Sequence, residues 1–179
     1  MITNVTLSTK ERYLLEDQKT HEEQCIIKYD NYSNLASDSE LKTIFKNLSQ
    51  KEREHLQTIN QLLNGQLPSM GGQSDSGSQQ QQNSLQQNSQ QQNSQQQNQQ
   101  GNTSPMMRQV TTEQGFKITD KEMCIDMLST EKYVSGTYDT AIFEFKDPRI
   151  RDVLNHIQKE EQKHGETLFL YMQSKGMYS

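Results

Sequence analysis

Large apolar residues are scarce in this chain. Only 30% of its 179 residues are hydrophobic, and the mean hydropathy is -1.03. No run of about 18 apolar residues occurs, which argues against a membrane span. Cysteine is also rare: Cys25 and Cys124 make no disulfide framework and no Cys-x-x-Cys motif, and they read as small buried apolar residues. There is no Gly-rich phosphate loop and no nucleophile–base motif. Lys and Arg number 18 against 23 Asp and Glu, for a net charge of -5, and they are scattered rather than clustered, so nucleic acid is not an expected partner. The stretch from Met1 to Glu11 lacks the basic-then-apolar plan of a secretion signal, so synthesis in the cytosol is expected.

The apolar deficit is local. Between Gly71 and Ser104 the only large apolar residue is Leu85, and Gln73 to Gln100 is mostly Gln, Asn and Ser. Such a sequence cannot bury enough apolar surface to offset chain ordering and is expected to be disordered, a solvated tether. Setting aside 66–117 leaves about 127 residues, enough for four long helices around one core. The expected organisation is a first helical hairpin over 1–65, a Gln/Ser/Asn-rich disordered linker over 66–117 and a second helical hairpin over 118–179. Both hairpins then form one domain.

Helix starts are marked by Ser8 with Glu11, Ser37 with Glu40, and Thr119 with Glu122, each a capping box. Asp147-Pro148 reads as an N-cap followed by proline in the first turn. Asn64-Gly65 and Gly176 read as stops. The helices are predicted near 9–36, 38–64, 120–145 and 148–175.

Each helix presents one stripe. In the second helix it is Leu41, Phe45, Leu48, Glu52, His55, Ile59 and Leu62, and in the fourth Ile150, Leu154, Ile157, Glu161, His164, Leu168 and Tyr171. Steps of four and three alternate, which is the seam a bundle helix buries. The first helix offers Leu15, Glu22, Cys25, Tyr29 and Ala36, and the third offers Cys124, Leu128, Glu131, Val134, Tyr138 and Phe145. All four seams are apolar at both ends and acidic in the middle.

The acidic middles repeat. A shift of 109 positions carries Glu22, Tyr29, Glu52 and His55 onto Glu131, Tyr138, Glu161 and His164. Glu22 and Glu52 lie 15 residues either side of Ser37, and Glu131 and Glu161 lie equally far either side of Lys146. At about 1.5 Å per residue each pair stands roughly 22 Å from its turn, so two antiparallel hairpins place all four glutamates in one layer. Buried carboxylates are costly unless paired or metal-bound, and no Lys or Arg shares these seams. A lone Glu-x-x-His in a Glu/Lys-rich helix carries little information. The duplication, the seam position and the matched heights give this one weight.

Residues i and i+3 share a helix face, so Glu52 with His55 point at one ion and Glu161 with His164 at a second. Glu22 and Glu131 complete the set as further ligands or bridges. Tyr29 and Tyr138 stand one heptad beyond, where their hydrogen bonds could orient the ligands. An oxygen-rich set with limited imidazole suits two divalent ions, iron or manganese. His21 and His156 lie off the seams and read as surface residues, and Glu23, Glu54 and Glu160, one position from ligand candidates, read as solvated. Met106, Met107, Met123, Met127 and Met172 read as fillers.

These residues resemble two nested groups. Glu-x6-Tyr and Glu-x-x-His in each half resemble the ferritin-like superfamily, with all six ligand positions filled: Glu22, Glu52, His55, Glu131, Glu161 and His164. The resemblance implies an all-α, antiparallel four-helix bundle with one long disordered crossover between helices two and three. The second half is similar to the coat F family of spore coat proteins from endospore-forming bacteria. The shared string is Leu128-x-x-Glu131-Lys132, Tyr138-x-x-Ala141-Ile142-x-Glu144, Asp147-Pro148-x-Ile150-Arg151-x-x-Leu154 and Met172-x-x-x-Gly176-x-Tyr178.

That second resemblance implies synthesis in the mother-cell cytoplasm, deposition in the spore coat, and other coat proteins as partners; a homo-oligomer is compatible with it. The favoured expectation is a structural coat component that keeps a two-metal site. The alternative is a two-metal redox enzyme acting on peroxide or oxygen, similar to manganese catalase or to rubrerythrin and ferritin, with catalytic residues unassigned. No rubredoxin-like cysteine set is present to supply electrons. Iron storage in a shell fits less well, because a disordered insert of this size would crowd the packing.

Overall fold

The computed structural model describes residues 4–68 and 118–178, which belong to one compact unit. The expected disordered tract lies outside the described residues from position 69 onward. Four helices make up the unit: α1 (Thr9–Leu35), α2 (Ser39–Leu63), α3 (Asp120–Glu144) and α4 (Pro148–Ser174). No strand forms among the described residues, only one isolated bridge between Asn4 and Gln66. Gln66 is therefore tied to the bundle, and the boundary expected at 66 moves past it.

The caps explain where the helices begin. Ser8 with Glu11 and Thr119 with Glu122 form full capping boxes, and Asp147 accepts from Arg149 N ahead of Pro148. The box predicted at Ser37 and Glu40 does not form. Asp38 caps α2 instead, accepting from Glu40 N at 2.7 Å and Leu41 N at 3.3 Å. Ser37 is occupied elsewhere: its N–H and its hydroxyl both donate to Asp120, each at 2.8 Å. α2 ends on Gly65, whose φ of 75° favours glycine, and a Cβ there would sit 3.1 Å from the carbonyl oxygen of Val5. Close approach is needed because Val5 N donates to Gly65 O at 2.9 Å.

The predicted seams are the buried faces. Leu41, Phe45, Ile59 and Leu62 of α2 and Ile150, Leu154, Ile157 and Leu168 of α4 are all essentially inaccessible, with Leu15 and Tyr29 of α1 and Cys124 and Tyr138 of α3 opposite them. Each such Leu, Ile or Phe contributes about 1.5–3 kcal/mol through burial. Met123, Met127 and Met172 fill the same core, and both cysteines are buried and unpaired with each other.

α1 packs on α2 and on α3, and α4 packs on α3 and on α2. Arg12 reaches the carbonyl of Leu63, so α1 starts where α2 ends. The α1 end at Ser37 meets the α3 start at Asp120, and Lys175 after α4 pairs with Asp38 before α2 at 2.8 Å. Thus α1 is antiparallel to both α2 and α3, and α2 to α4. The end of α2 and the start of α3 consequently lie at opposite ends of the bundle, about 37 Å apart for a 25-residue helix.

The two hairpins brace each other through one exchanged contact that the repeat duplicates. Asp120 accepts from Ser37 N, Ser37 Oγ and Asp38 N in the α1–α2 turn. Its partner 109 positions earlier, Glu11, accepts from Lys146 N in the α3–α4 turn at 2.8 Å. Replacing Asp120 by Ala should cost about 1 kcal/mol or more, since three donors lose their acceptor at once. Urea denaturation of the Asp120→Ala protein checks this, and an unchanged midpoint would count against the brace.

Candidate metal centre

The α-helical seams bring all six sequence-predicted ligands into one buried layer. Glu22 on α1, Glu52 and His55 on α2, Glu131 on α3, and Glu161 and His164 on α4 are each at most 4% exposed. No Lys or Arg side chain is among the buried residues described. Ligand atoms gather in two groups, each within 4.8 Å: Glu22, Glu52, His55 and Glu161, and Glu52, Glu131, Glu161 and His164. Glu52 and Glu161 belong to both groups, whereas Glu22 and Glu131 each belong to one. Of the two roles left open for Glu22 and Glu131, the geometry therefore favours one-sided ligands, and it places Glu52 and Glu161 between the two positions.

The two groups are near copies. His55 Nδ1 lies 2.9 Å from Glu161 and His164 Nδ1 lies 3.0 Å from Glu52. To the glutamate three positions earlier the distances are 3.3 and 3.6 Å, and to the one on the neighbouring hairpin helix 3.6 and 3.7 Å. The two imidazole rings stack 5.4 Å apart, tilted by 18°. Both tyrosines act across the hairpins rather than along their own helix. Tyr29 donates to Glu131 and Tyr138 donates to Glu22, so each half fixes the other half's glutamate.

The layer fits a pair of cations on its own evidence. Glu22 Oε2, Glu131 Oε2 and both carboxylate oxygens of Glu161 are buried with no hydrogen-bond donor. His55 Nδ1 is close to Glu161 but not aligned to donate to it. Buried acceptors without donors are uncommon, and four of them converging beside two imidazole nitrogens are what a divalent-cation site supplies. Oxygen-rich donor sets of this kind suit iron and manganese.

Residues 119–179 match the Coat F domain family. The second hairpin is therefore similar to that family. No curated protein and no solved structure matches the chain. The matched hairpin supplies Glu131, Glu161, His164 and Tyr138. The first hairpin lies outside the matched residues and supplies Glu22, Glu52, His55 and Tyr29, so the matched hairpin holds half of the layer.

Electrostatics show how the layer survives without cations. Burial lifts Glu22 to about 8 and lifts Glu131 well above the usual carboxylate range. Burial works against the charged imidazoles too, but hydrogen bonds to the surrounding carboxylates outweigh it. His55 is raised well above its ordinary value and His164 to about 12. Burial also opposes charge on Glu52 and Glu161; the two imidazoles that lie close to both overcome it and hold both below the usual range. These directions together favour, near neutral pH, a layer of two carboxylates, two carboxylic acids and two imidazoliums, a set with no net charge.

One neighbour was missed by the sequence reading. Glu160, expected to be solvated, accepts from His55 Nε2 at 3.1 Å, its side chain is only 25% exposed, and that hydrogen bond lowers its pKa to about 2. A carboxylate on Nε2 keeps the proton there and turns the Nδ1 lone pair toward the carboxylate layer. Position 51, its equivalent beside the other half, is Lys51, which pairs with Glu54 instead. No signal along α4 marks it: position 160 stands off its own seam and meets His55 only because the packed bundle turns it toward α2. His21, the other departure, is half-buried, within 3.3 Å of Thr137 and edge-on to Tyr133, and away from the layer; His156 is exposed as expected.

Two outcomes follow from these contacts. Two divalent ions against four carboxylates and two neutral imidazoles also sum to zero, so metal uptake at pH 7 should release up to four protons, from Glu22, Glu131, His55 and His164. Protons compete with metal, so apparent affinity should rise from about pH 6 to about pH 8. Calorimetry in buffers of different ionisation enthalpy counts the protons, and a count near zero would refute the neutral layer. Glu160→Gln should weaken metal binding by about tenfold to a hundredfold. The same titration reads it, and equal affinity would remove Glu160 from the site.

Proposed function

We propose that the protein is a structural component of the spore coat whose four-helix bundle carries a two-metal carboxylate site, filled by iron or manganese. The Coat F match of residues 119–179 carries the coat assignment. The same match supports other coat proteins as the partners and the spore coat as the location. The cation pair rests on the four donor-less carboxylate oxygens in the layer. In this reading the metal clamps the two hairpins, because each ligand group draws on both of them. The segment between the hairpins acts as a tether within the coat.

A second reading, a redox enzyme acting on peroxide or oxygen, is favoured by one observation: Glu52 and Glu161 are common to both ligand groups and would hold two ions side by side. Two redox-active ions at such spacing can share a two-electron change, the chemistry of manganese catalase-like and rubrerythrin- or ferritin-like centres. The chain's own contribution would be the buried, water-poor layer and the tyrosines that hold the outer glutamates in place.

Purified protein should contain about two Mn or Fe atoms per chain by elemental analysis. Saturation at a hundred times the dissociation constant should raise stability by about 2.7 kcal/mol, measured as a shift of the denaturation midpoint. Glu52→Ala and His164→Ala should abolish both effects. If those variants still enter the coat normally and wild type does not consume peroxide, the structural reading stands. Peroxide turnover lost in the variants would instead establish the enzyme. A metal count of zero would rule out the site.

A further inference from the structure

The 109-residue repeat provides an internal comparison for the outer faces of the two hairpins. Between α3 and α4 a groove of about 810 Å³ runs from the surface to Glu131 and Glu161. Those two residues are 2% and 0% exposed, and Glu131 Oε2 and both oxygens of Glu161 have no hydrogen-bond donor. Ser135 and Gly165 line the groove. A Cβ added at Gly165 would meet only Leu128 Cδ1 at 3.5 Å and Glu131 Cβ at 3.9 Å, so the glycine answers no backbone strain and leaves the space open.

The same positions on the first hairpin are filled. Ser135 corresponds to Ile26, which is 7% exposed, and Gly165 corresponds to Leu56, which is half-buried. The charges invert as well. Lys132, Lys159 and Lys163 line the groove with one exposed acid, Glu166, besides the buried Glu131 and Glu161, and none of the three lysines has an ion-pair partner among the described residues. Their counterparts are Glu23, Gln50 and Glu54, with Gln57 for Glu166, and both glutamates are paired with lysines. The two outer faces of the layer are therefore chemically distinct: one carries Ile26, Leu56 and two lysine-paired glutamates, the other a groove lined by three lysines.

We infer that this groove is a one-sided entrance through which a small anion reaches the cation that Glu131 and His164 would hold. The inference rests on the two-metal reading above. Glu131 and Glu161 at the groove's inner end are closed to solvent, so entry needs a small outward shift of a wall side chain and admits only a ligand of a few atoms. Lysines at its mouth repel cations and amines and raise the local concentration of anions. Carboxylate oxygens at the inner end would repel an anion too, unless cations already neutralise them, so entry follows metal loading.

The test loads the full chain with cobalt(II), whose visible absorption changes when its ligands change, and titrates azide as the small anion. Wild type should give a saturable change. Gly165→Leu, which copies Leu56, and Ser135→Ile, which copies Ile26, should each weaken azide binding about tenfold or more, with cobalt stoichiometry unchanged. Lys132→Glu with Lys163→Glu, copying Glu23 and Glu54, should weaken it too, and more at low ionic strength than at high. Unchanged azide affinity in both wall variants would overturn the entrance while leaving the metal site intact. Failure of wild type to bind cobalt would overturn the metal reading and the entrance together. Should the wall variants lose cobalt, the exposed lysine pair decides alone, and wild-type azide affinity in that protein would overturn the inference.

Discussion

Electroneutrality of one buried layer governs this bundle. Four carboxylates and two imidazoles share a level from which Lys and Arg are absent. An isolated ionised carboxylate in such surroundings is too costly to persist, so the layer must neutralise itself with protons or with cations. The protonated arrangement is a compromise. It leaves Glu22 Oε2, Glu131 Oε2 and both Glu161 oxygens without an aligned hydrogen-bond partner. It also keeps two imidazoliums stacked 5.4 Å apart, like charges that repel. Two divalent cations would relieve both defects at once and leave the total charge unchanged. In the proposed reading, cation binding would replace one neutral state with a better-satisfied one.

The way the layer is held follows from the repeat. Contacts that matter are exchanged between hairpins: Tyr29 with Glu131, Tyr138 with Glu22, Asp120 with the α1–α2 turn, Glu11 with the α3–α4 turn. His55 lies closest to Glu161, and His164 closest to Glu52. Neither hairpin can assemble a ligand group alone. The hairpin that matches the Coat F domain thus carries half of the layer, and the other half lies outside the matched residues. Loss of packing between hairpins would expose four acids at once, which couples the integrity of the layer to the tertiary structure of the whole unit.

Much of this was legible in the sequence because helical periodicity and a residue-exact repeat are one-dimensional signals. Seam residues such as Phe45, Ile59, Leu154 and Leu168 are core, and the helix ends lie within about a residue or two of the predicted ones. What could not be read are facts created by contact between helices. Ser37 looked like an N-cap, but Asp120, distant in sequence, takes both its donors and Asp38 caps α2. Glu160 looked solvated because it stands off its own seam, yet position 160 faces α2, where His55 receives it. The sharing of Glu52 and Glu161 depends on how far the hairpins close, which spacing along one helix does not specify.

The departures from the repeat are more informative than the repeat itself. Symmetry accounts for the ligands, and a duplicated hairpin would keep them paired for the sake of the neutral layer alone. It does not account for Glu160 opposite Lys51, or for Ser135 and Gly165 opposite Ile26 and Leu56. A purely structural clamp gains nothing from an open, basic groove on one face: filling it with the first hairpin's Ile and Leu would bury more apolar surface, and replacing Gly165 would remove the helix-weakening cost of an internal glycine, about 1 kcal/mol relative to Ala. The second hairpin forgoes both gains at the place where its two donor-less glutamates come nearest the surface. Stability therefore explains the apolar filling at Ile26 and Leu56, and it does not explain why the second hairpin keeps Ser135 and Gly165 beside the layer.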